Sequence, residues 1–186
     1  MRRHQNAAPH LSHRRRRPAM TDAEITIRTS LQPGDLGRLV AFHGSAYQHE
    51  DPHFGLTFEA YVAKTVAEFI LENEGRGQVF LAEKNGELVA SAAMLERRDG
   101  ARTHGQLRWV LTHPSVRGLG LGGKLVRLAI DHAIKHGWDS VFLETTPGLD
   151  VSMGLYKRLG FEVESVKQGG AWEGDLDVIM MRLPLK

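Results

Sequence analysis

Apolar residues recur along this chain with two periods, and the places where one gives way to the other divide it into elements. "EITIRTS" (24–30) alternates apolar and polar side chains and reads as a short strand. In "GDLGRLVAFHGSAYQHE" (34–50) one stripe runs through Leu36, Leu39/Val40, His43 and Tyr47, the spacing of a helix. After "DPHFG" a second helix carries Phe58, Tyr61/Val62, Thr65/Val66 and Phe69 on one face. "GQVFLAEKNGELVASAAMLERR" (77–98) is a pair of strand-like runs about Asn85-Gly86, the dipeptide that most favours a two-residue hairpin. The polar stretch "RDGARTHG" reads as a loop leading to the strand "QLRWVLTH" (106–113). Farther on, helical spacing puts Leu121, Leu125, Leu128 and His132 inward and Lys124, Arg127, Asp131 and Lys135 outward, until Gly137 stops the helix. "SVFLETT" is a strand and "LDVSMGLYKRLG" a helix ended by Gly160; "FEVESVKQ" and "DLDVIMMRL" are two closing strands. The order β α α β β β α β α β β, without repeats, predicts one α/β domain, a mixed sheet of about seven strands flanked by about four helices.

Charge changes this picture more than bulk composition does. The chain has 186 residues, 24 Lys+Arg and 22 Asp+Glu, with a pI near 9.0. Six of the arginines (Arg2, Arg3, Arg14, Arg15, Arg16, Arg17) stand in residues 1–19, where there is no acid, so the rest holds 18 basic against 22 acidic groups, net −4. That stretch has no apolar period. Residues 1–22 are therefore expected to form a disordered basic tail and 23–186 the folded domain, with Met20 a second plausible start. Such an arginine block can tether a chain to nucleic acid, but the expectation is that it does little and that no specific nucleic acid is a partner. A transit peptide would need more apolar residues than Leu11 supplies. The absence of cysteine excludes a disulfide framework, a thiolate metal site and a cysteine nucleophile. The longest apolar run, "LVASAAML" (88–95), falls far short of the ~18 residues of a membrane span. A soluble, cytoplasmic protein without a membrane partner is expected.

Two motifs invite readings that their surroundings refuse. Gly118-Leu119-Gly120-Leu121-Gly122-Gly123 satisfies the dinucleotide pattern G-x-G-x-x-G, with Glu144 at the end of the next strand. In that pattern the first glycine follows its strand almost at once; here "HPSVR" intervenes, and too little chain remains for further parallel units. "HEDPH" (49–53) matches H-E-x-x-H, but Pro52 breaks the helix that would bring both histidines to one zinc ion. No metal is expected.

Four glycines in six residues at the front of a helix bring bare amides close to a ligand, most often a phosphate. Leu119 and Leu121 alternate with them, as if anchoring a loop whose amides point one way. Lys124 is followed by Leu125, where a Walker loop has Ser or Thr for Mg²⁺. The pattern suits a pyrophosphate without a metal.

"RWVLTHPSVRGLGLGGKL" resembles the acetyl-CoA motif of the GNAT superfamily of N-acetyltransferases, Q/R-x-x-G-x-G/A, here Arg117-Gly118-Leu119-Gly120-Leu121-Gly122. The similarity continues through "SVFLETTPGLDVSMGLYKRLGFE", and the order of elements from Glu24 fits as well. Within the superfamily, "GDLGRLVAFHGSAYQHE", "FEAYVAKTVAEF" and "ETTPGLDVSMGLY" look most like the acetyltransferase half of fusions with MarR-type regulators, and the regulatory half is expected to be absent.

The resemblance implies a fold whose central parallel strands, the fourth and fifth, splay after Leu111, and acetyl-CoA as co-substrate. Val110, Leu111 and Thr112 would pair with the peptide-like pantetheine as a missing strand would. Arg117 and the amides of Gly118, Leu119, Gly120, Leu121, Gly122 and Gly123 would hold the pyrophosphate, and a backbone N–H would stabilise the developing oxyanion. Tyr156 would protonate the leaving thiolate, and Glu144 would take the amine's proton, directly or through water. Leu149 stands where many members have an asparagine that contacts the cofactor, and Asp150 is the substitute. For the acceptor, Tyr47, Glu50 and Trp109 are the chosen contacts, with His49, Asp51, Arg108 and Trp172 nearby; acid plus aromatic suits a cationic amine. A small-molecule amine or amino acid is the first expectation. A protein N-terminus or lysine is the alternative, a non-catalytic acyl-CoA sensor the third, and a homodimer is left open.

Overall fold

The computed structural model describes residues 24–50, 54–72, 76–170 and 176–186. Its order is β1 (Thr26–Arg28), α1 (Asp35–Glu50), α2 (Leu56–Glu72), β2 (Gln78–Lys84), β3 (Glu87–Asp99), β4 (Arg102–Thr112), α3 (Leu121–Lys135), β5 (Ser140–Thr145), α4 (Asp150–Arg158), β6 (Glu162–Lys167) and β7 (Val178–Pro184). A single 3-10 turn, Pro114–Val116, stands between β4 and α3. The strands form one sheet in the order β1-β2-β3-β4-β5-β7-β6, antiparallel except where β4 lies parallel to β5. This is the mixed seven-stranded, four-helix architecture that the periodicity predicts.

Alternation along the central strands serves two cores. On β2, Phe80 and Ala82 join a cluster under α3 and α4, while Val79 and Leu81 point to the opposite face, under α1 and α2. On α2 the buried residues are Phe58, Val62, Val66 and Phe69, the stripe read from spacing. On α3 they are Leu121, Leu125, Val126, Ala129, Ile130 and Ala133. Leu128 and His132 sit at the margin of that face because Val126 and Ala129 bring the centre of the stripe round by about one position.

Two expectations need correction. "RDGARTHG" is not a loop: β3 runs on to Asp99 and β4 begins at Arg102, paired Asp99↔Arg102 about a turn in which Gly100 has φ 56. This ribbon runs past the core, so its side chains are exposed and the apolar alternation is lost. The second concerns the splay. β4 and β5 pair only through His104↔Ser140, Gly105↔Val141 and Gln106↔Phe142. They part after Gln106, five residues before Leu111.

Candidate active site

A bulge in β4 follows the early parting. Register with β3 passes from Ala93↔Arg108 to Ser91↔Leu111, so Trp109 and Val110 together face Ala92, and such an insertion sharpens the local twist. Trp109 has φ 48, a left-handed backbone that costs an L-residue about 1–2 kcal/mol. Three contacts hold it there. Its carbonyl accepts from Ser91 Oγ at 2.7 Å, its Nε1 donates to Thr65 Oγ1 at 3.3 Å, and its buried ring meets Phe69 edge-on with centroids 5.6 Å apart. Backbone strain of this kind collects at sites where main-chain groups must be aimed. The β5-facing edge of β4 from Leu107 to Thr112, on both sides of the bulge, has no strand partner among the described residues.

The split opens into a cavity of about 70 Å³. β4 contributes Leu107, Arg108, Trp109 and Val110; β5 contributes Leu143, Glu144 and Thr145. α1 and α2 roof it with His43, Tyr47, Phe58, Tyr61 and Val62, and Leu149, Ser152 and Tyr156 close the α4 side. Tyr156 is buried against Phe161, and its hydroxyl makes no hydrogen bond within the described residues. Burial, with a smaller contribution from Tyr47, pushes its phenol above the ordinary tyrosine range, so it stays protonated. Glu144 is an exposed carboxylate at the mouth. Tyr47 stacks on His43 with centroids 6.1 Å apart and packs against Phe54 and Phe58, its hydroxyl lying 3.5 Å from the Val110 carbonyl oxygen.

His43 joins this wall from the helical stripe, but nothing in its spacing marks it as part of a site. Its Nδ1 donates to the Leu39 carbonyl one turn back, at 2.9 Å, which leaves Nε2 as an acceptor, buried and without a partner among the described residues. Burial pushes its pKa down to about 4, against the opposing pull of the Leu39 and Trp109 carbonyls, so the ring is neutral at pH 7.

The glycine stretch lies at the far end of the open edge. Gly118 and Gly120 have φ 82 and 71, and Gly120 begins α3 with no side-chain cap, so the amides of the first turn are left for a ligand. A Cβ on Gly122 would come within 2.9 Å of Thr112 Oγ1; the glycine is what lets the helix N-terminus sit against the end of β4. Arg117 Nε donates to the Thr112 carbonyl at 3.2 Å and ties the turn to the strand. Unpaired strand edge and uncapped amides thus form one continuous surface, and the residues fit a peptide-like chain ending in a pyrophosphate.

Tyr47, Trp109, Val110, Glu144 and Tyr156 come together at the cavity. Leu111, Thr112 and the turn from Arg117 to Gly123 flank it and do not line it. Leu121 is buried as an anchor, but Leu119 is 66% exposed and anchors nothing. Asp150 is exposed in the first turn of α4, while its neighbour Leu149 lines the cavity. Glu50 ends α1, but its side chain lies outside the described residues, as do the side chain of His49 and the whole of Asp51 and Trp172. His43, Phe58 and Tyr61 are cavity residues that the motifs do not reveal; helical spacing marks them only as inward-facing.

Residues 42–161 match the model of the Acetyltransferase (GNAT) family. The uncharacterized N-acetyltransferase YjgM of Escherichia coli is 28% identical over 136 residues, 73% of this chain and 75% of that protein. Glucosamine 6-phosphate N-acetyltransferase 1 of Oryza sativa is 33% identical over 87 residues, 45% of this chain and 51% of its own length. Among solved structures, YncA of Salmonella typhimurium, determined with its cofactor acetyl-CoA, superposes with a TM-score of 0.65 at 26% identity, covering 88% of this chain and 95% of that one.

Proposed function

We propose, for a chain that belongs to the Acetyltransferase (GNAT) family, direct transfer of an acetyl group from acetyl-CoA to a primary amine of a small molecule or amino acid. The observation that carries this reading is the geometry of β4: an unpaired edge that runs from a cavity holding Tyr156 to the uncapped glycine turn of α3. YncA is a neighbour solved with acetyl-CoA, which supports the same ligand here. Acetyl-CoA supplies the activated acetyl group and a thiolate leaving group.

The chain's own residues divide the remaining work. The open edge at Val110, Leu111 and Thr112 binds the pantetheine, and the amides from Gly118 to Gly123 hold the pyrophosphate at the positive end of α3. The strained bulge at Trp109 aims main-chain groups at the reacting carbonyl. Glu144, at the mouth, takes the proton that an ammonium must lose before it attacks. Tyr156, kept protonated by burial, gives its proton to the departing sulfur.

The aromatic roof and a cavity of about 70 Å³ support a small acceptor over a folded protein. No described helix is long and apolar enough to cross a membrane. The closer likeness to MarR-fused acetyltransferase halves rests on α1, α2 and the segment from Glu144 to Tyr156 alone. A panel of primary amines, assayed for free-thiol release from acetyl-CoA, tests the reading. Amine-dependent thiol release is the expected result. Release with peptides alone would move the acceptor to proteins, and tight acetyl-CoA binding without turnover on any amine would make the chain a sensor.

A further inference from the structure

We propose that the acceptor is a zwitterion, an amine that also carries a carboxylate, with Arg108 holding the acid group and Glu144 facing the amine. The inference rests on the transferase reading and specifies its substrate class.

Gln106↔Phe142 is the last pair joining β4 to β5, and Arg108 and Glu144 each stand two residues beyond it. Side chains two apart share a sheet face, so the guanidinium and the carboxylate lie on one face, on opposite banks of the split. Both line the cavity. They do not form an ion pair with each other.

Arg108 is half-buried, with its guanidinium 5.3 Å from the centre of the Tyr61 ring, and it has no carboxylate partner among the described residues. Some arginines elsewhere in the structure find acids: Arg28 meets Asp35 at 2.6 Å, Arg38 meets Glu83 at 2.7 Å and Arg182 meets Glu164 at 2.8 Å, whereas Arg97 donates to the Gln106 side chain at 2.9 Å. Arg97 adds a second positive charge close enough to be felt: its pKa is lowered first by burial and then by Arg108, against smaller opposing pulls from Tyr61, Glu68 and Glu144. A guanidinium removed from part of its water, unpaired and repelled by a neighbour, is satisfied by an incoming anion. Its planar fork, held over Tyr61, suits two parallel hydrogen bonds to a carboxylate. A purely cationic amine would be drawn to Glu144 but repelled by Arg108. A molecule with one charge of each sign matches both banks.

The test compares free L-amino acids with their carboxamides, with the matching decarboxylated amines and with glucosamine 6-phosphate, by thiol release from acetyl-CoA. Free acids should show kcat/KM about tenfold or more above their carboxamides, the range expected of a charge-assisted pair. Arg108→Gln should collapse that preference through KM, lowering kcat/KM for the acids far more than for the amides, and Arg108→Lys should restore part of it. An acetyl-CoA-induced thermal shift in each variant reports that the fold is retained. Equal use of acids and amides, a preference that survives Arg108→Gln, or glucosamine 6-phosphate as the better acceptor would each overturn the assignment while leaving the transferase intact. Absence of turnover on every amine would instead remove the transferase reading, and the substrate class with it.

Discussion

Burial moves the two most enclosed titratable side chains at the cavity away from charge, and each shift can be tested at the residue itself. Tyr156 is held as a neutral phenol, a donor at any working pH. Tyr156→Phe keeps the ring against Phe161 and removes only the hydroxyl, so folding and acetyl-CoA affinity should scarcely change. The kcat should fall about 10²–10⁴-fold, nearer the lower end because a thiolate leaves readily, and undiminished kcat would return Tyr156 to a packing role. His43 titrates at about 4 when folded, against an ordinary value near 6.5. The unfolded chain therefore takes up this proton as pH falls below about 6.5, while the folded one does not until about 4. Stability from His43 is complete above that window and is lost through it, by about 3 kcal/mol in all. Tm of the native chain should drop on acidification from pH 7 to 4.5 more steeply than Tm of His43→Gln; parallel curves would refute the burial argument. Neither charge state is legible in the sequence, because each depends on side chains brought from other elements. Nor does any pattern announce a tryptophan in a left-handed backbone: Trp109 owes that conformation to Ser91, Thr65 and Phe69, all distant along the chain.

The element that does most at the site is the start of α3, where two left-handed glycines and a missing cap leave amides open. Gly120→Glu would place a side chain in a backbone region that disfavours one, and a negative charge at the turn proposed to hold the pyrophosphate. The variant should lose about 1–2 kcal/mol of stability and all of the thermal shift that acetyl-CoA gives the native chain. A shift of native size in Gly120→Glu, read by differential scanning fluorimetry, would place the ligand elsewhere. Elements of this kind are legible because their cause is local: the glycine spacing, the Asn85-Gly86 turn with φ 55 and 80, and the four-residue rhythm of α2 need no distant partner. Where cause is not local, the reading slips. The exposed ribbon formed by the ends of β3 and β4 has no core to impose alternation, and it reads as a loop. The parting of β4 from β5 at Gln106, and not at Leu111, lies beside a bulge defined by register with β3, which no pattern local to β4 marks.

At the scale of the whole molecule the sheet is two antiparallel units, β1-β2-β3-β4 and β5-β7-β6, joined edge to edge by only three parallel pairs. α3 bridges them by packing on β2, β3, β4 and β5. A ligand that lies in the split touches both units at once and substitutes for the hydrogen bonds that β4 and β5 do not make with each other. Saturation with acetyl-CoA at 100 times its Kd should add about 2.7 kcal/mol to global stability. The gain should also have a pattern. Amide hydrogen exchange should slow along the open edge of β4 from Leu107 to Thr112, in the first turn of α3 and in β5 beyond Phe142. The β1–β2 and β6–β7 margins, which the ligand does not reach, should gain only what the global term supplies. NAD has no strand-like segment to lay along β4 and should leave both Tm and exchange unaltered. Uniform slowing with acetyl-CoA would mean that binding does not run through the split, and protection of the β4 edge by NAD would overturn the choice of ligand.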